Sequence, residues 1–458
     1  MRAQATGYAG DPNARTPNLD ALAGESVNFT QAVSGCPVCS PARASLLTGQ
    51  YPLTHGVFVN DVQIPLDTPK LAEVLQSAGY DTGYIGKWHV DGHGRLAYTP
   101  PERRCGFDFW RAVECTHRYN DSLYYADDDP TPRRWGGYDA IRQTDEACRY
   151  IEAHAEGDRP FLLMLSWGTP HNPYETAPEE YRQRFDPRAI QLRPNVPEEQ
   201  AEKARQELAG YYAHIAAIDD CVGRLLATLD RAAAAEDTIF VFWSDHGDML
   251  GCHGHQRKQR PWEESIRVPL LIRYPRGLGE GGRGVPAAID APDLMPTLLA
   301  LAGVAVPDSC EGRDFSPCCR GSGPPPQEAA LLGCYHPFGE YYRDCPDARE
   351  YRGLRTERYT YCRDRNGPWL LYDNAEDPYQ LTNLVGRGDY ADIEEDLDRR
   401  LLARLAELGD ALEPGPVLMK RYGYPYMPRN FAVPCPPEKG YQELIAEGWT
   451  AGELHRGG

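Results

Sequence analysis

The sequence predicts an α/β protein with a large, mainly parallel sheet flanked by helices and a smaller α+β subdomain with a short antiparallel sheet at its carboxyl end. Three observations carry this expectation. Helix-type and strand-type apolar patterns alternate through residues 1–305. The strand-type runs are continuously apolar, as strands covered on both faces are. Polar, ionisable clusters recur just after those runs, where open α/β sheets bind ligands.

Taken in order, Thr16-Pro17-Asn18-Leu19-Asp20 reads as a cap, a first-turn proline and a helix carrying Leu19 and Leu22, followed by the strand-like Val27-Asn28-Phe29-Thr30. Leu71, Val74, Leu75 and Ala78 form a helical stripe that Gly79 stops, and Thr82-Gly83-Tyr84-Ile85 is the next strand. Ile141, Ala147, Cys148 and Ile151 precede the run Phe161-Leu162-Leu163-Met164-Leu165. Ile215, Ile218, Val222, Leu225, Leu226 and Leu229 lie at helical spacing before the strand-like Thr238-Ile239-Phe240-Val241-Phe242-Trp243. Val268-Pro269-Leu270-Leu271-Ile272 is one more strand and Asp293-Leu294-Met295-Pro296-Thr297-Leu298-Leu299 a helix. A loop-rich stretch from Val304 to Gln327 divides this domain, 1–305, from a smaller one, 328–458. There Arg358-Tyr359-Thr360-Tyr361 and Trp369-Leu370-Leu371-Tyr372 read as strands and Ile393 to Leu408 as a helix.

Composition bounds the function. The 458 residues are 41% hydrophobic and 25% charged, enough for a large core, and 44 Gly with 40 Pro imply long connections. The formal charge is -19, so the long-range field repels nucleic acid and anionic membranes, and an anionic substrate needs a local cluster of cations or a metal. No run is apolar enough to span a bilayer, and the first residues lack a basic-then-apolar leader, so as written the chain is expected to be cytoplasmic. Fourteen cysteines are too sparse for a disulfide framework in a chain of this length, and the default role of each is a small buried hydrophobe.

Gly35-Cys36-Pro37-Val38-Cys39-Ser40-Pro41-Ala42-Arg43 stands apart. Ser40-Pro41 reads as a cap and first-turn proline and Gly49 as the stop, which sets Cys39 at a helix N-terminus, where unpaired N–H groups favour a thiolate or an anionic ester. A thioredoxin-like CxxC pair also opens a helix, but a charged constellation lies elsewhere in this chain. A zinc half-site completed by His246, Cys252, His253 and His255 has spacings that match no usual zinc pattern.

A third reading comes from resemblance. Cys39-Ser40-Pro41-Ala42-Arg43 with Leu46-Leu47-Thr48-Gly49 resembles the sulfatase motif CxPxR with its downstream LTG. The likeness continues in Gly86-Lys87-Trp88-His89, Pro170-His171-Asn172-Pro173, Ser244-Asp245-His246-Gly247 and Arg267-Val268-Pro269. Cys36 does not fit, because Val38 stands where the motif needs proline. The resemblance implies an alkaline phosphatase-like fold and a formylglycine (3-oxoalanine) at Cys39, made by a formylglycine-generating enzyme. One hydroxyl of its hydrate attacks sulfur, and the other later expels sulfate.

The resemblance further implies that Arg43 holds the diol, that Asp245, His246 and the Cys39 product bind a divalent cation, calcium or magnesium, and that Lys87 and Lys258 clamp sulfate oxygens. His89 assists the diol and His171 protonates the departing alcohol. A sulfate ester, of a small molecule or a glycan, needs such concentrated positive charge to admit a nucleophile. Singly, Lys87 and Lys258 also read as surface lysines, His171 as a loop histidine and Asp245 as a turn residue. Sulfatases begin with a strand ending in two metal-binding aspartates, and no counterpart is matched here; Asp11 is the nearest acidic residue. An unpaired sheet edge and a metal site of three matched ligands are the expected consequences. A phosphonate monoester or phosphodiester hydrolase and a non-catalytic binder of sulfated ligands are the alternative functions. In the smaller domain His336, Arg355 and Arg358 are candidate substrate contacts, with packing roles as the plainer reading.

Overall fold

The computed structural model describes residues 1–345 and 348–424; the rest of the predicted C-terminal subdomain, 425–458, lies outside the described residues. Thirteen strands are described: β1 (Val27–Phe29), β2 (Asp81–Lys87), β3 (Phe109–Val113), β4 (Leu123–Ala126), β5 (Asp129–Arg134), β6 (Phe161–Ser166), β7 (Phe240–Trp243), β8 (Leu270–Arg273), β9 (Arg283–Val285), β10 (Ala329–Cys334), β11 (Tyr351–Thr356), β12 (Tyr359–Asp364) and β13 (Gly367–Asp373). They form three sheets, ordered β5-β4-β3-β2-β6, β7-β8-β1-β9 and β10-β11-β12-β13.

The α/β architecture and the C-terminal antiparallel sheet are those the sequence predicts, but the central sheets are mixed. β2 pairs in parallel with β3 and β6, and β1 with β9, whereas β4 and β8 run against their neighbours. The antiparallel pairs join strands that the apolar runs alone do not orient.

β6 pairs only with β2, and β7 only with β8, so each leaves one edge without a ladder among the described residues. Both strands are nonetheless covered on both faces. Leu162, Met164, Ile239, Val241 and Trp243 pack on one cluster, which includes Leu46 and Leu47 of the helix Cys39–Thr48 and Leu294 and Leu299 of the helix Ala291–Leu301. Leu163, Leu165 and Phe240 turn to the other face, against Ile151 of the helix Asp139–Ala155 and Leu225 and Leu229 of the helix Ala201–Arg231. That is the period-two alternation of a strand between two layers. The side chains of β6 are all only half-buried, which locates their exposure along the strand edge rather than on a face.

In the C-terminal unit the helix Ala391–Glu407 lays Leu397, Leu401 and Leu405, one turn apart, on Leu331, Leu354, Tyr361 and Leu371 of the sheet. The two units meet at Gly35, four residues before Cys39. Its N–H donates to Asp290 Oδ1 (2.7 Å) and its carbonyl accepts from Gly333 N (2.7 Å). A Cβ there would sit 2.2 Å from Asp290 Oδ2 and 2.3 Å from the Leu331 carbonyl, so only glycine lets the three segments approach.

Asp290 caps the helix Ala291–Leu301 in a box with Asp293. Burial, and then the neighbouring Asp293, push its carboxyl up to about 8. The folded state therefore holds this proton more tightly than the unfolded chain, and the associated stability, complete below the ordinary carboxyl range, is lost as pH rises through about 8. Asp290→Asn keeps Oδ1 for the Gly35 and Ala291 N–H groups. It is expected to lessen the fall in thermal midpoint between pH 5 and pH 8, and an unchanged fall in the variant would remove Asp290 as its source.

Candidate active site

The helix Cys39–Thr48 starts at Cys39 itself, with Val38 as the extended residue before it. The predicted cap shifts by two residues, from Ser40 to Val38, because Ser40 does not cap. Its N–H donates instead to Asn60 Oδ1 (3.0 Å), and Val38 supplies the first carbonyl, to Ala42 N (3.1 Å). Cys39 keeps its place in the first turn and is buried at 2% exposure.

Its Sγ meets two partners: Lys87 Nζ donates to it (3.3 Å) from the end of β2, and His246 Nε2 lies at 3.2 Å, just past β7. Burial raises the thiol pKa, but Lys258, Lys87 and His246 together overcome it and hold the group well below its ordinary value. Cys36 is the reverse case: buried near Cys334, its thiol is pushed well up. The two cysteines of the CxxC thus have opposite electrostatics, and both are free thiols.

Lys87 and Lys258 are 6% and 2% exposed, which excludes the surface-lysine reading. Lys258 Nζ donates to His171 Nε2 (2.6 Å), and His171 Nδ1 lies 3.0 Å from the Asn172 carbonyl. That carbonyl requires the proton on Nδ1 and leaves Nε2 as the acceptor. Burial first, then Lys258 and His117, hold the His171 imidazolium well below its ordinary pKa, so the ring is neutral.

Arg43 is buried, but its guanidinium is occupied away from Cys39. Nε donates to Asp245 Oδ2 (3.1 Å), and one terminal nitrogen donates to the Lys87 carbonyl (2.7 Å) and to Ser166 Oγ (2.7 Å). His89 likewise bonds elsewhere, its Nε2 to Asp61 Oδ1 at 3.0 Å, rather than to Cys39. The sequence singled out neither Asp61 nor Arg95, which forks onto Asp61 at 2.9 and 2.7 Å. It also missed His117, stacked on His171 with ring centroids 4.7 Å apart. His117 and Arg95 follow no motif, though each lies shortly after Lys87 or at the end of a strand, where a search by position would meet it.

Cys39, Asp245 and His246 offer one donor atom each, all within 4.8 Å of one another, and they are the only such group of three among the described residues. Arg43 and His246 keep the Asp245 carboxyl ionised, at about 2 despite its burial. A carboxylate, an imidazole and an oxygen formed at Cys39 fit a divalent cation. They are three of the six to eight ligands a calcium ion takes. Asp11 adds none, since it accepts from Tyr212 and from Asn13 instead. The zinc reading fails on geometry: Cys252 approaches Arg2, His253 and His255 pack on Trp262, and His246 belongs to Cys39. Arg355 and Arg358 are taken up by Glu263 and Asp373, and His336 is buried beside Gly415, which agrees with packing roles.

Among the described residues no helix is long and apolar enough to cross a membrane. The sulfatase family model matches residues 1–304, and the model named N-sulphoglucosamine sulphohydrolase, C-terminal, matches 251–407. The ulvan-active sulfatase of Formosa agariphila is 45% identical over 94% of this chain and 84% of its own length. The endo-4-O-sulfatase of Bacteroides thetaiotaomicron is 30% identical, over 91% and 90%. Among solved structures, a yidJ sulfatase from Bacteroides fragilis superimposes with a TM-score of 0.81 at 30% identity, covering 90% of this chain and 94% of that one. With the family model matching more than half of its length and Cys39 set between Lys87 and His246 at the strand ends, this chain belongs to the sulfatase family.

Proposed function

We propose that this sulfatase hydrolyses a sulfate ester of a carbohydrate, using a formylglycine made from Cys39 and a calcium or magnesium ion held by Asp245, His246 and residue 39. The observation that carries the reading is the setting of Cys39: a buried first-turn residue between two lysines and a histidine in a chain of charge -19. Cationic side chains at one buried point have a use when an anion must be held there against the field of the whole protein. The carbohydrate class is supported by the relatives named for ulvan and for endo-4-O-sulfation.

Cys39 Sγ marks the position of the hydroxyl that formylglycine presents as nucleophile after maturation. A divalent cation at this site supplies Lewis-acid polarisation of the ester oxygens and lowers the pKa of that hydroxyl. The protein's own residues do the rest. Lys87 Nζ, already within reach of position 39, holds a sulfate oxygen and neutralises charge that grows on attack. Lys258 and His171 share one hydrogen-bonded proton at Nε2, and from that pair the leaving alkoxide takes its proton. Arg43 orients Asp245.

The proton pair has a direct test. Lys258→Met removes the largest cationic influence on His171 after burial, and the imidazole midpoint, followed by NMR, is expected to climb toward the ordinary histidine value. An unmoved midpoint would separate the two residues.

The function itself is tested by coexpression with a formylglycine-generating enzyme. Mass spectrometry of the peptide carrying residue 39 is expected to show conversion of thiol to aldehyde, and Cys39→Ala is expected to lower kcat/KM for sulfate release by about 10⁴-fold or more. Calcium or magnesium is expected to restore activity after chelation. Sulfate esters should be preferred over an aryl phosphodiester on kcat/KM. A large preference for the phosphodiester would replace this reading with the phosphodiesterase alternative, and an intact thiol with undiminished turnover would remove formylglycine from it.

A further inference from the structure

The turn after β2 is held in an uncommon shape. His89 has φ +61° and Gly92 φ +69°, and Asp61, which bonds the His89 ring, has φ +63°. A non-glycine residue in the left-handed region is strained and persists where its surroundings over-determine it. Two such residues facing each other through a 3.0 Å hydrogen bond need an external hold.

That hold comes from β3. Val113 lies opposite Lys87 in the parallel ladder, and Trp88 N donates to the Val113 carbonyl (2.9 Å), so the next residue of that chain, Glu114, falls beside the turn. Its carboxylate accepts three consecutive backbone N–H groups: Oε2 from Val90 (3.0 Å), and Oε1 from Asp91 (2.8 Å) and Gly92 (2.8 Å). Glu114 is 2% exposed, and among the described residues no lysine or arginine forms an ion pair with it. Burying a carboxylate with backbone donors alone is costly, and stability alone favours an apolar residue at such a point. Glu114 sits in no sequence motif and makes no contact with Cys39, Asp245 or His246.

We infer that Glu114 is a positioning residue for sulfate-ester hydrolysis: by clamping the N–H groups of 90–92 it keeps His89 in its left-handed backbone, with the ring fixed on Asp61 beside Lys87. This rests on the proposed sulfatase function and on the role in assisting the diol that the sulfatase resemblance implies for His89. The clamp acts on chemistry through His89 and not on substrate binding, so its loss appears in kcat.

The test is a double-mutant cycle on the matured enzyme, with 4-nitrocatechol sulfate as probe and conversion at residue 39 measured for each variant. Glu114→Met is expected to lower kcat by about 30-fold with KM changed less than about twofold, and in the His89→Asn background to cost less than about twofold. Glu114→Gln keeps one oxygen for Asp91 and Gly92, and is expected to stay within about threefold of wild type. Equal losses in both backgrounds, or an unchanged kcat in Glu114→Met, would overturn the inference. Should His89→Asn alone leave kcat unchanged, the role given to His89 fails instead. The clamp is then judged by amide exchange: Asp91 and Gly92 are expected to exchange about 100-fold faster in Glu114→Met, or in Glu114→Gln if the former does not fold, and unchanged protection refutes it.

Discussion

The structure depends on one buried cation. Arg43 reaches out of the first turns of the helix Cys39–Thr48 and joins three strand ends: the Lys87 carbonyl closing β2, Ser166 Oγ closing β6, and Asp245 two residues past β7. No ladder joins β6 to β7 among the described residues, so the relative placement of these ends rests on side chains and on the helices that cover both strands. Removing the guanidinium would leave a buried carboxylate unpaired, which costs more than the pair itself stabilises. The same contact orients the Asp245 carboxylate toward Cys39 and His246. Fold and site are therefore coupled at a single residue.

Around that anchor the protein builds a small region of charge opposite to its own. Net charge of -19 means that any anion approaches against a repulsive field, and salt screens that field beyond roughly 8 Å at physiological ionic strength. Inside the site the distances are shorter than this, and the lysines are buried. Lys87 and Lys258 act on residue 39 at close range, where screening is weak, and burial together with Lys258 keeps His171 neutral instead of adding a further fixed charge. The thiol responds to the balance: desolvation alone would raise it, as it does for Cys36 three residues earlier.

What the sequence made legible followed from its periodicities and from motif residues whose side chains do the chemistry. Phe161 to Leu165 and Phe240 to Trp243 are continuously apolar because both of their faces are covered, and Gly86-Lys87-Trp88-His89 and Ser244-Asp245-His246 lie at or just past strand ends because that is where side chains can converge. The residues that escaped act through the backbone or through pairing that sequence spacing does not encode. Asn60 displaced Ser40 as the acceptor at the helix start, and the cap lies two residues earlier, at Val38. Arg43 turned to Asp245 and two other strand ends, and His89 to Asp61, although the motif suggested both would face residue 39. The antiparallel direction of β8 was not legible because an apolar run has no polarity, and β4 was not read as a strand.

The open edge between β6 and β7 shows how far side-chain packing substitutes for hydrogen bonding. Leu163, Leu165 and Phe240 meet helix residues on one face, and Leu162, Met164 and Val241 meet them on the other, yet the β6 side chains stay half-exposed along the lateral direction. Apolar burial is non-directional and holds two strands at a common level without specifying their register. Register here is set at the carboxyl ends, by the directional bonds of Arg43 with Ser166 and Asp245. A substitution such as Arg43→Lys keeps the charge but loses the fork, and a point charge cannot fix two strand ends at once. The geometry of the metal donors and the alignment of the two sheets would then loosen together.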